Sequence, residues 1–172
     1  GQGSLPPDDI PISGYGSYRH LIALVEAGWL DILSPPPTSH QTLIHRLRAF
    51  PAELDTLRKT YDSSILECCP AEDEWSARDI ICHLCDHEAT EDRVRLQRIV
   101  EESNPFLSAN YDPWSKAHEY DQVPVDRAFL EFVQHRTETI EWLLGLPGGT
   151  WSRPARYAIF GPTHFEEMVR FT

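Results

Sequence analysis

The chain has 172 residues, 41% of them apolar and 24% charged, with 27 acidic side chains against 15 basic ones and a formal net charge of −12. That size and balance suit one globular domain with a substantial core and exclude a disordered chain. The acidity, with no basic stripe to offset it, excludes nucleic acid and anionic membrane as partners, because both are bound through clustered Lys and Arg.

No apolar run approaches the roughly 20 residues that cross a bilayer. The longest, residues 21–33, is interrupted by Glu26, Gly28 and Asp31. No basic segment leads into an apolar one as in a secretory signal, so the expected compartment is the cytoplasm. The single methionine is Met168, so Gly1 is not expected to be the native start. The last helical pattern opens at Gly161-Pro162-Thr163 and stops at Thr172, so the last helix is expected to be cut short.

Residues 1–16 are rich in Gly, Pro, Ser and Asp and are expected to be irregular. Leu21, Ile22, Leu24, Val25, Trp29, Ile32 and Leu33 recur at helical spacing, which predicts an accessory helix over 17–33 that ends at Pro35-Pro36-Pro37. Residues 1–37 are thus an N-terminal extension and 38–172 a helical bundle.

Thr38 or Ser39 can cap the next helix. Its stripe runs Leu43, Ile44, Leu47, Phe50, Leu54, Leu57, Tyr61, Ile65 and Leu66, with a kink or break expected at Pro51. Cys68-Cys69-Pro70 ends it. Ser76 with Asp79 three residues on predicts a capping box, opening a long helix over 77–102 with Ile80, Ile81, Leu84, Val94, Leu96, Ile99 and Val100 inside. Asn104-Pro105 stops that helix. Residues 103–120 lack a period but hold Phe106, Tyr111, Trp114 and Tyr120, which reads as a crossover packed on one end of the bundle. A helix over 125–146 carries Phe129, Phe132, Val133, Ile140, Leu143 and Leu144, closed by Pro147-Gly148-Gly149. A loop or short extended stretch follows, and the last helix starts near Thr163. Strand-like alternation is absent over any useful length. The predicted class is all-α: a four-helix bundle with a long crossover between helices 2 and 3.

The segment Glu74-Trp75-Ser76-Ala77-Arg78-Asp79-Ile80-Ile81-Cys82-His83-Leu84-Cys85-Asp86-His87-Glu88 carries the candidate chemistry. His83 and His87 stand at i and i+4, on one side of the helix. At 100° per residue His87 falls nearer the centre of the Ile80/Leu84/Val94 stripe and His83 at its edge. Inward-facing imidazoles are either hydrogen-bonded core groups or ligands for zinc, nickel or iron, and spacing alone leaves both readings open. An HExxH motif is missing, since Leu84 holds the place of its glutamate.

Residues from about 43 to 172 resemble the DinB/YfiT-like family of four-helix-bundle metalloenzymes. The matching blocks are EWSARDIICHLCDHE, RVRLQRIV with NPFL, NYDPWSKAHEY, the arginine-centred FLEFVQHRTETIEWLLGL, and TWSRPARYAIFGPTHFEEMVRF. The resemblance implies a divalent metal held by one histidine of the second helix, matched by His83, and by an HxxxH pair of the fourth helix expected a few residues past Thr172. No ligand role transfers to His164 or His87. It further implies metal-dependent hydrolysis or thiol-dependent transfer on a small-molecule or thiol substrate. For the 172 residues themselves, weak or absent metal and no activity are expected.

The rival reading is a non-catalytic bundle that self-associates, for instance as a homodimer. Cys82 and Cys85, with Cys68 and Cys69, could form a four-thiolate zinc site, but buried unreactive thiols are the expectation. Arg136 is expected to pair across the bundle with a carboxylate such as Glu91 or Asp86. Trp75, Trp114 and Trp151 read as anchors of helix ends and crossover, and the acidic residues 72–74 and 86–92 as a solvated face.

Overall fold

A computed structural model of the chain describes residues 39–71, 74–108, 120–159 and 161–172. The accessory helix predicted over 17–33, the boundary at residue 37, and Tyr111 and Trp114 of the crossover lie outside them.

Helix α1 spans His40–Thr60, and Ser39 Oγ caps it by accepting from the Thr42 amide at 3.2 Å. The helix runs on through Pro51 without ending there. It does end at Thr60, where Tyr61 turns to an extended backbone, and the one-turn helix α2 (Ser63–Leu66) follows separately. The predicted stripe is therefore too long. Leu43, Ile44, Leu47 and Leu66 are buried, whereas Phe50, Leu57, Tyr61 and Ile65 are exposed. The reason lies in Arg58, whose guanidinium bonds Asp126 and sits 4.9 Å over the Phe129 ring. That contact turns Leu54 and Arg58 toward the bundle and Leu57 away from it.

The second long helix is broken by phase. Helix α3 (Ala77–His87) passes into a π-helical turn, Glu88–Asp92, and then into helix α4 (Arg93–Glu101). Ser76 and Asp79 form the predicted capping box: Ser76 Oγ accepts from the Asp79 amide at 3.1 Å, and Asp79 Oδ2 from the Ser76 amide at 3.0 Å. The buried face is Ile81, Cys82, Cys85 and Glu88, then Arg95, Leu96 and Ile99. The expected centre of the stripe was one residue off, since Ile80 is 39% exposed and Val94 43%. A π turn holds one residue more than an α turn, so positions on its two sides do not share one 3.6-residue register.

Helix α5 (Val125–Leu144) enters from a 3-10 turn at Tyr120–Gln122 and buries Phe129, Phe132, Arg136, Ile140 and Leu143. Helix α6 is Phe165–Phe171. A small sheet corrects the expectation of no strands: β1 (Phe106–Leu107) pairs parallel with β2 (Pro154–Tyr157), which pairs antiparallel with β3 (Gly161–His164). Strands of two to four residues are too short to show a period. Gly161, at φ +75°, supplies the left-handed backbone that begins β3.

Two apolar clusters fill the bundle. One joins α1, α4, the C-terminal half of α5, the sheet and α6 through Leu43, Leu96, Ile99, Leu143 and Phe165; the other joins α2, α3 and the start of α5 through Leu66, Ile81, Cys82 and Phe129. Arg153 ties the sheet to the end of α4 by donating to the carbonyls of Ile99 at 2.6 Å and Glu102 at 2.8 Å, groups left open at a helix C-terminus. No described helix is long and apolar enough to cross a membrane.

Candidate metal centre

The capping box fixes where α3 begins, and with it the direction of every side chain that follows. Trp75, just before the cap, lays its ring edge-on to His83 with centroids 4.9 Å apart. On the other side the His83 and His87 rings lie 4.5 Å apart, as i and i+4 require. His83 is half-buried between them. Burial, and then the neighbouring His87, hold its pKa below the usual imidazole value. At neutral pH it is therefore an uncharged ring with a lone pair available, the form that ligates a metal.

His87 behaves oppositely. Asp92, 3.9 Å from Nδ1, holds its pKa up against the effect of burial, and Glu91 lies 3.9 Å from Nε2. Both carboxylates are already engaged: the buried guanidinium of Arg95 meets Glu91 at 2.5 Å and Asp92 at 3.3 Å. Among the described residues, no three His, Cys, Asp or Glu side chains are placed to hold a metal ion. Two imidazoles stand here, and no third ligand among the described residues joins them. His164 stands at the N-terminal cap of α6, where its backbone amide donates to Glu167 at 2.9 Å, and does not join them.

The cysteines are free thiols. Cys82 and Cys85 are buried, as expected, and burial pushes their pKa values up to about 12 and about 11, so neither is a thiolate near neutrality. Cys68 and Cys69 are exposed, contrary to the expectation for all four. They follow the short α2, beyond the edge of the core. The four-thiolate site is not assembled.

Arg136 is buried and ion-paired, but its partner is Glu88 at 2.8 Å, neither Glu91 nor Asp86. Asp86 instead accepts from the Tyr120 hydroxyl at 2.9 Å. Glu88 is the residue that sequence reasoning missed. It was assigned to a solvated acidic face, yet its side chain is 1% exposed. The signal that could have found it is the stripe itself: moved by one residue, Ile81, Cys85 and Glu88 fall in line. Of the tryptophans, Trp75 braces His83, and Trp151 is buried between His40 and Phe165, both as anchors of helix ends.

A long α1, a phase-broken second helix, α5 reached through a crossover, and a C-terminal α6 together define a four-helix bundle with one long connection. Among solved structures, the fold is that of YfiT from Bacillus subtilis, described as a probable metal-dependent hydrolase with an unusual four-helix bundle topology. The two superpose with a TM-score of 0.66 at 17% identity, covering 78% of this chain and 79% of that one. At that identity the likeness carries the fold. No family model matches the chain, and no curated protein sequence does.

Proposed function

We propose that this chain is the bundle of a metal-dependent hydrolase in which His83 supplies one ligand. The observation that supports it is the neutral, half-buried imidazole of His83, braced by Trp75 in the helix that follows the capping box, within a fold shared with YfiT. A divalent ion of the zinc, nickel or iron class would polarise a carbonyl or acidify bound water. The described residues do not complete its coordination sphere, so no hydrolytic step is derived from them. The remaining ligands are to be sought outside the described residues. What the chain itself contributes is a fixed ring: the Trp75 contact and the i+4 neighbour limit its rotation. A thiol-dependent transfer is the alternative chemistry for the same centre.

Metal content by elemental analysis of the longest natural product of the gene tests the proposal. One divalent ion per chain is expected, lost in His83→Gln with the fold retained by circular dichroism. A metal-free product, or one whose metal survives the substitution, overturns it.

A second reading, self-association through a helix face, has its own support: Leu57, Tyr61 and Ile65 stand 51% to 58% exposed near the end of α1 and in α2. Sedimentation equilibrium at two concentrations tests it, and a concentration-independent monomer rules it out.

A further inference from the structure

Away from the His83 ring, α1, α3, α5 and α6 leave a cleft of about 480 Å³ between them. Its apolar walls include Phe50, Leu84 and Val169, and three guanidinium groups reach it, from Arg46, Arg136 and Arg170. Two of the three cations are neutralised locally, Arg136 by Glu88 at 2.8 Å and Arg170 by Glu166 at 2.8 Å. Arg46 is exposed, and no carboxylate among the described residues is paired with it, while Arg136 also donates Nη2 to the Thr172 carbonyl oxygen at 3.3 Å in the cleft wall.

The floor carries a second signal. The Arg136 side chain is 5% exposed, and its Nε has no hydrogen-bond partner. A buried guanidinium donor left open is costly, and an acceptor from outside the protein, a water or a bound group, would relieve it. An apolar cavity with a few convergent polar groups is also the common form of a small-molecule site.

We propose that this cleft binds a small organic carboxylate with an apolar body, its head on Arg46 at the rim and on the open edge of Arg136, its hydrocarbon against Phe50, Leu84 and Val169. A carboxylate fits because two lone-pair-rich oxygens match guanidinium donors, and the apolar walls favour a hydrocarbon tail over a hydrated inorganic anion. The site stands apart from the metal reading, since His83 does not line the cleft.

The test is isothermal titration calorimetry of the folded chain with octanoate, against 1-octanol and octyltrimethylammonium as probes of the same length. One saturable octanoate site per chain is expected, with octanol weaker and the cation not bound. Arg46→Gln, at an exposed position, should weaken octanoate about tenfold, the scale of one charge-assisted contact, and leave octanol unchanged. Leu84→Trp should block both by filling the cleft. Equal binding of octanoate and octanol, or octanoate binding untouched by Arg46→Gln, overturns the proposal. So does a longer natural product of the gene that no longer takes octanoate, because a peptide segment would then be the occupant.

Discussion

Glu88 and Arg136 meet at 2.8 Å in the middle of the bundle, with their side chains 1% and 5% exposed. The contact joins the π turn to α5, between the two apolar clusters. Thr139 Oγ and both Glu88 oxygens lack an aligned hydrogen bond, so the pair is held by charge more than by geometry. Breaking such a pair costs more than never having had it.

Arg136→Met leaves a buried carboxylate alone and is expected to cost about 3–5 kcal/mol at pH 7 in urea unfolding. Burial already holds the Glu88 pKa above its usual value, and Arg136 opposes that effect. In the variant the folded-state pKa rises further, so stability is fully present below the unfolded value near 4.5 and lost as pH rises through the folded one. The defect should therefore shrink between pH 7 and pH 4.5. The double variant Glu88→Leu/Arg136→Met should regain most of the loss, and a double variant as unstable as the single one would refute the pairing.

The two imidazoles of α3 should titrate on opposite sides of the ordinary value of 6.5. His83, lowered, favours the fold above 6.5 and loses that contribution as pH falls through its folded pKa. His87, raised, favours the fold below 6.5 and loses it as pH rises through its own. Ring-proton NMR against pH checks both, and His87→Gln should move the His83 midpoint upward. Coincident midpoints would contradict the structure.

Ser76→Ala removes the oxygen that caps α3 and should cost about 1 kcal/mol, with the His83 ring signals broadened by a fraying first turn. Ser76 is fully buried, so a loss below the measurement error would mean that the cap does not set the helix start.

Much of the architecture was readable because its signals are local. The Ser76/Asp79 box, the Pro147 stop and the α5 stripe each depend on residues within a few positions of one another. What escaped was non-local or out of phase. The buried face of α3 centres one residue from the expected stripe, on Ile81 and Cys85, which hid Glu88 among residues that looked solvated, and the π turn then changes the register beyond it. Leu57 and Tyr61 kept a helical period yet face outward, because Arg58 on Phe129 decides the rotation of that end of α1. The sheet escaped because β1 and β2 lie on opposite sides of α5 in sequence and each is shorter than a period can reveal. At the candidate centre, the approach of His83 to His87 was legible from their i, i+4 spacing, but the commitment of Glu91 and Asp92 to Arg95 was not.

A contrast between core and stripe gives a further check. Phe132→Ala, at a fully buried position, should cost about 3–5 kcal/mol, whereas Leu57→Ala should stay within about 0.5 kcal/mol. A comparable loss at Leu57 would show that this face is covered in solution.

The most direct test of the His83 assignment is a titration of the chain with cobalt(II), followed by paramagnetic broadening of the eight histidine ring signals. His83 and its neighbour His87 should broaden first, and His83→Gln should abolish the effect at the remaining ring, His87. Broadening that begins at His164 or His40 and ignores the substitution would contradict a metal-facing imidazole at position 83.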